Sequence, residues 1–486
     1  MGLINMENRH VSMILSRRNL AFLLIFLGVV LRILYASMSV DVSDAYLNLA
    51  TAKSMRDCHC IPTVDTWGTS NLFRPPAGAI WMAVMMPYPI IAVVIAGLAL
   101  VFLTYLIAKK IGLTDDYSLL AAGIVSVIPE AIAFSSTNSM DIFTGVYLAL
   151  SIYFLMSGHA GISGAFSALG SLAKTDGLVF FPAPAIYLAW KRRWKDLLVY
   201  TLVFLLLAIP WLIHMWTVFG NPFYPYFGTL FGDTSTPAVG HQVPLYHYLL
   251  GLPLTLFGVP EGSHWTALEI AASHGIPSIV IWAGYLAAII ATIAILYGSW
   301  RSSLKMNADT RAIIYCAFLM YGMFFLARTI LPIGSDVLDL RYAIVLIPIF
   351  GIGTISLDKR WLTFVVILLL IGSVGLFARF YIAEAAIAPF HEGIEQVKKL
   401  PTDAVVLSDA DTTIYSYGIS YETGRVGFPY LDNSYNRGTN IPFLWSRYQE
   451  IRDRGPNYLW TTNMSLVCGS DPMFKNERIK ICAMNR

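Results

Sequence analysis

A chain of 486 residues with 56% hydrophobic and 13% charged residues departs from soluble composition, where roughly 45–50% apolar and about 25% charged are usual. A soluble core of this size cannot absorb that much apolar surface; a bundle of membrane-spanning helices can. The net charge of +3 says little by itself, and nothing in the sequence points to a nucleic-acid partner.

Apolar runs divide the chain into about eleven candidate spans, taken here in order. The first is Leu20–Met38. Arg17 and Arg18 precede it and no small-residue cleavage site follows, so it reads as a span and not as a cleaved signal. A polar segment of residues 39–76 comes next. Within it, Ser43–Met55 carries Ala45, Leu49, Ala52 and Met55 at helical spacing, which predicts a short amphipathic helix at the membrane surface. Residues 78–108 as a single helix would measure about 46 Å, too long for a bilayer core of about 30 Å. Pro87 and Pro89 supply the break, leaving a short interfacial helix and a span at Ile90–Ala108.

Further spans are expected at Tyr117–Phe134 and Asp141–Met156. Ile162–Ala173 and Leu178–Trp190 are short, and form either two spans or a re-entrant hairpin. Leu197–Trp216 follows, then a polar and aromatic loop at 217–275. The last four candidates are Ile276–Tyr297, Ala312–Leu331, Tyr342–Ile355 and Leu362–Phe380. The remaining residues alternate helix and strand patterns. Glu392–Leu400, Thr412–Tyr421 (ending at Gly424) and Ile441–Asp453 read as helices; Ala404–Ser408, Tyr458–Thr462 and Ile479–Ala483 read as strands. The expected organisation is a short N-terminus (1–19), a polytopic α-helical membrane domain (20–380) and a small α/β domain (381–486).

Lys and Arg set the orientation. Arg9, Arg17 and Arg18 precede the first span. Lys109–Lys110, Lys191–Arg193 with Lys195, Arg301 with Lys305 and Arg311, and Lys359–Arg360 fall in every second loop. This predicts a multi-pass plasma-membrane protein with a cytoplasmic N-terminus and an extracytoplasmic C-terminal domain. Cys468 and Cys482 then face an oxidising space and can pair; free thiols are the alternative. Cys58–His59–Cys60 is too tight for a structural zinc site.

Charges within or beside spans need a reason. The same topology gathers Asp41, Asp44, Glu130, Asp141, Lys174, Asp176, His214, Arg328, Asp336, Asp339 and Arg341, with the loop residues His241, His247, His264 and His274, on the outer face. Each has an ordinary alternative. Arg32 can snorkel or pair, Asp141 can cap its helix, and Lys174 and Arg341 can anchor the interface.

The landmarks resemble, in order, the GT-C superfamily of glycosyltransferases that use polyprenyl-phosphate sugars, in its dolichyl-phosphate-mannose mannosyltransferase and aminoarabinose transferase branch. They are Asp44-Ala45-Tyr46 with Ala50, Arg74-Pro75-Pro76, Pro129 with Asp141, Lys174 to Gly177, Pro210-Trp211, Gly220 to Pro225, and Arg341-Tyr342 with Pro348. The family's usual Asp-Glu pair is absent, since Ala45 follows Asp44; a second acid must come from Asp41 or Asp141. No Trp-Trp-Asp motif is present, unlike an oligosaccharyltransferase.

The resemblance implies an inverting transferase with Asp44 as the base that takes the acceptor proton. It implies Arg341, Arg74 and Lys174 as cations for the leaving phosphate, with Tyr46 and Tyr342 as further substrate contacts. A divalent metal (Mg or Mn) held by Asp41, Asp44 and Asp141 is compatible with hard oxygen ligands. The donor is then a polyprenyl- or dolichyl-phosphate-linked sugar among membrane lipids, and the acceptor a glycan, lipid or protein. The absence of a nucleotide-binding loop agrees with a lipid carrier. The competing classes are a transporter or flippase, which calls for internal repeats that the sequence lacks, and a polysaccharide polymerase or ligase, which has no use for the Asp44 element.

Overall fold

The computed structural model describes residues 16–38, 44–62, 74–222, 256–257, 277–305, 311, 315, 344–408, 412–429, 458–461, 468, 472–476 and 479–483. Five described helices are long and apolar enough to cross a membrane: Arg17–Ser37, Ile90–Lys110, Trp194–Val218, Trp282–Arg301 and Lys359–Ala378. The expected span Ala312–Leu331, apart from Tyr315, and the helix Ile441–Asp453 lie outside the described residues.

Helix α1 (Arg17–Ser37) starts where the Ser16 hydroxyl accepts from the Asn19 amide. Helices α2 (Asp44–Cys58) and α3 (Pro76–Val84) follow, then α4 (Ile90–Lys110). The predicted span 117–134 is two helices, α5 (Asp115–Ser126) and α6 (Pro129–Phe134). Pro129 has no amide hydrogen and disfavours helical backbone at Ile128, which stops α5 inside the bundle.

A broken helix at membrane depth leaves carbonyls that lipid cannot satisfy, so other spans must cover them. Arg32 Nη1 donates to the Ser126 carbonyl at 2.6 Å and to the Gly28 carbonyl at 3.0 Å. Ser373 Oγ donates to the Val127 carbonyl at 2.6 Å, and Tyr35 Oη donates to the Ser373 carbonyl at 2.6 Å. The Ser136 hydroxyl bonds the Arg32 carbonyl at 3.3 Å. Arg32 therefore does not snorkel. It is 1% exposed, and its guanidinium sits at the negative C-terminal end of α5. Gly28 makes this approach possible, because a Cβ there would collide with the Ser126 backbone.

Helices α7 (Asp141–Met156) and α8 (Ala160–Ala173) are 16 and 14 residues long. At about 24 and 21 Å they are shorter than a bilayer core. Helices α7 and α8 pack against each other as a hairpin, and a 3₁₀ turn (Thr175–Phe180) leads from α8 to α9 (Pro182–Trp190). Helix α10 (Trp194–Phe219) packs back on α8, and α11 (Ser278–Lys305) packs on α12 (Ile347–Thr354).

Helix α13 spans Lys359–Val397, 39 residues or about 58 Å. The separate helix expected from Glu392 is its continuation, so the last span and the C-terminal domain share one rod. Arg425 Nη2 donates to the Lys398 and Leu400 carbonyls just beyond its end, at 2.9 and 2.8 Å. The domain carries a five-stranded sheet of order β2-β1-β3-β5-β4, with β1 Val405–Ser408, β2 Val426–Pro429, β3 Tyr458–Thr461, β4 Phe474–Lys475 and β5 Lys480–Ala483. Strand β1 runs parallel to β2 and β3, and β5 antiparallel to β3 and β4. Helix α14 (Thr412–Thr423) is the crossover that the parallel β1–β2 pair needs.

Opposite ends of the bundle differ in chemistry. At one, Arg17 stacks on the Tyr117 ring at 4.3 Å and Lys109 pairs with Asp115 at 2.8 Å. This gathers the N-terminal charges and the first basic loop. The other end holds α2, the α6–α7 turn and the C-terminal domain.

Candidate active site at one end of the bundle

Helix α2 is not a half-exposed surface helix. Residues 45–52, 54 and 55 are buried, and Lys53 and Arg56–Cys58 emerge. The row expected to face water, Asn48, Thr51 and Ser54, is covered. Asn48 Nδ2 donates to the Asn138 carbonyl at 2.8 Å, with both residues buried. Tyr46 is 1% exposed and lies among Phe390 of α13 (centroids 5.9 Å apart) and Tyr421 of α14 (6.5 Å). The first-loop helix is thus held between the bundle and the C-terminal domain. At its exposed end Cys58 and Cys60 form a disulfide, with His59 in the left-handed region at φ 52°.

The turn that Asn48 touches leads to the second acidic element. Ser139 Oγ donates to Asp141 Oδ2 at 2.8 Å and accepts from the Asp141 amide at 3.1 Å. Asp141 opens α7 but does not cap it. Its Oδ1 instead takes Lys174 Nζ at 2.6 Å, with side-chain exposures of 11% and 8%. Lys174 sits in extended backbone where α8 ends, and its carbonyl accepts from the Gly177 amide at 2.8 Å. Gly177 lets the 3₁₀ turn fold onto α8, since a Cβ there would meet the Gly170 carbonyl at 2.5 Å. The Lys174–Gly177 landmark is therefore one folding unit, the cation and the turn that buries it.

Arg74 is half-buried just before Pro75 and Pro76, where α3 begins. Glu130 is 2% exposed in the first turn of α6. His214 stacks on Trp211 at 5.1 Å. A small cavity of about 10 Å³ lined by Ser171, Leu172, Leu178, Trp211 and Pro222 lies beside the turn that follows Lys174. Asp44 is the first residue of α2, one turn before Asn48; its side chain lies outside the described residues. Asp41, Arg341 and Tyr342 also lie outside them, as do His241, His247, His264 and His274.

Among the described residues no three His, Cys, Asp or Glu side chains gather as a metal site. Asp141 gives one oxygen to Ser139 and the other to the Lys174 ammonium, so a divalent cation there would share the carboxylate with both. Sequence reasoning missed Asn48, Asn138 and Ser139, which connect the two acidic elements. The one available signal was an Asn between Leu47 and Leu49 in an apolar run.

The model for dolichyl-phosphate-mannose-protein mannosyltransferases matches residues 83–214, which include the α6–α7 turn, Asp141 and Lys174. ArnT from Cupriavidus metallidurans in the apo state superposes with a TM-score of 0.62 at 13% identity, over 95% of this chain and 97% of that one. The chain has the GT-C fold. The same ArnT bound to undecaprenyl phosphate gives a TM-score of 0.51 at 14% identity, over 95% and 97% of the two chains. The apo oligosaccharyltransferase of Archaeoglobus fulgidus gives 0.52 at 12% identity, over 91% of this chain and 69% of that one. No curated protein matches this chain in sequence. The helical bundle and the small C-terminal sheet are both elements of the GT-C architecture expected from the sequence.

Proposed function

We propose that this protein transfers a sugar from a polyprenyl-phosphate carrier to an acceptor hydroxyl at the outer membrane face, with inversion and with Asp44 as the base. The observation that carries the reading is the Asn48–Asn138 bond. It joins the helix opened by Asp44 to the turn that presents Asp141, whose carboxylate holds Lys174 from the end of α8.

In the transfer, the acceptor oxygen gives its proton to the Asp44 carboxylate and attacks the anomeric carbon. The bond from that carbon to the phosphate oxygen breaks, and the electron pair leaves with the polyprenyl phosphate. Negative charge grows on that oxygen, and fixed cations are most effective where water is excluded. Lys174 and Arg74 line that end of the bundle, and Arg341 joins them in this reading. Asp141 holds the Lys174 ammonium and keeps it from wandering in a low-dielectric site.

Two observations support an outward-facing site. Arg17 of the N-terminal segment and Lys109 of the first basic loop lie at the opposite end, in keeping with the positive-inside rule for a cytoplasmic face. Both disulfides, Cys58–Cys60 and Cys468–Cys482, belong to elements at the site's end, and such bonds persist in oxidising compartments.

The test is sugar transfer by purified protein in proteoliposomes, offered a panel of undecaprenyl-phosphate sugars. Asp44→Asn is expected to lower turnover by about 10²–10⁴, the usual contribution of a positioned base. An Asp44→Asn protein as fast as wild type would remove the assigned base.

A further inference from the structure

Helix α2 is gripped from two sides, and only one grip belongs to the membrane domain. On the bundle side Asn48 is bonded to the α6–α7 turn. On the other, the Tyr46 ring stands against Phe390, in the extramembrane end of α13, and against Tyr421 of α14. The seam continues in both directions. Phe390 packs on Trp460 of β3 at 5.4 Å, and the Tyr421 hydroxyl approaches Met86 Sδ at 3.8 Å. Gly418 keeps the contact close, since a Cβ there would lie 2.7 Å from Phe390 Cζ and 3.3 Å from Tyr46 Cε2. Tyr46 stands two residues after Asp44, so any shift of this ring moves the start of the helix.

We propose that the C-terminal sheet domain is a positioning element for the transferase centre, acting through the Tyr46 ring, so that Tyr46, Phe390 and Tyr421 set the place of Asp44 without touching substrate. This rests on the transferase reading above. A domain that merely capped the bundle would need no aromatic cluster on the catalytic helix. A sugar-stacking role would leave the Tyr46 ring face open, and it is buried.

The test uses the full chain in nanodiscs. Tyr421→Ala removes one wall of the seam, Tyr421→Phe keeps the ring, and Gly418→Ala wedges Phe390 off Tyr46. With the undecaprenyl-phosphate sugar that supports transfer, Tyr421→Ala is expected to lower kcat about tenfold while the donor KM stays within about twofold, a loss in keeping with an aromatic contact. Amide exchange in residues 44–58 is expected to rise by about tenfold, with α5 unchanged. Tyr421→Phe behaves as wild type, and Gly418→Ala resembles Tyr421→Ala. If Tyr421→Ala does not fold, Gly418→Ala carries the same comparison.

Unchanged exchange in residues 44–58 in a folded Tyr421→Ala or Gly418→Ala protein would overturn the proposal. So would a Tyr421→Phe protein as impaired as Tyr421→Ala. Exchange that responds as expected in a protein that transfers no sugar would uphold the mechanical coupling and sink the transferase reading instead.

Discussion

Lys174→Met is expected to destabilise the protein by about 3–5 kcal/mol, because it strands the Asp141 carboxylate in a buried site with its charge uncompensated. The paired Asp141→Asn and Lys174→Met protein is expected to regain most of that loss, since removing both charges also removes both desolvation costs. The Asn amide can still accept from Ser139. Thermal midpoints of the wild type, both single variants and the double variant in one detergent give the coupling. A Lys174→Met protein as stable as wild type would contradict the burial of this pair. The same proteins separate structure from chemistry. If Lys174 stabilises the departing phosphate, the double variant recovers its midpoint but not its turnover.

Breaking the Cys468–Cys482 disulfide is expected to lower the stability of the C-terminal domain by about 3 kcal/mol, the loop-closure value for a ring of about 15 residues. The bond closes a 14-residue separation between β5 and the chain that follows β3. Cys482 is nearly fully buried opposite Leu459, so a serine there also buries a hydroxyl. Cys468→Ser avoids that complication and is the better variant. Amide exchange of Leu459–Thr461 and Lys480–Ala483 is expected to accelerate in Cys468→Ser while α4 and α5 are unaffected. Equal protection in the two proteins would mean that the bond does not form in the cell, and would count against an extracytoplasmic tail.

The features legible in the sequence were those set by local pattern. The apolar runs of α1, α4, α10 and α13 announce themselves by composition, and the basic loops by their alternation. Strands β1, β3 and β5 follow from short β-branched and aromatic runs. Strand β2 is not among the expected strands, since Val-Gly-Phe-Pro pairs a glycine with a proline; it lies at the sheet edge, where a terminal proline is tolerated. The apolar run at Tyr117–Phe134 reads as one continuous helix despite Pro129. The break is completed by Arg32, 94 residues from Ser126, and Ser373, 246 residues from Val127. The rule that a helix with one polar row lies on a surface failed for α2, whose polar row meets another polar segment. Asp141 and Lys174 were each recognised as landmarks, but their pairing across 33 residues is a property of the α8 hairpin alone.

The proposed transfer requires two acid-bearing elements and their cations to meet at one end of the bundle and hold a prenyl phosphate. The most direct measurement is a structure of the protein in nanodiscs with undecaprenyl phosphate. The phosphate is expected at the end framed by the start of α2, Arg74 and Lys174, with the Asp44 carboxylate turned toward it across the space an acceptor hydroxyl would fill. A phosphate bound at the Arg17–Lys109 end, or an Asp44 carboxylate pointing into lipid, would contradict it.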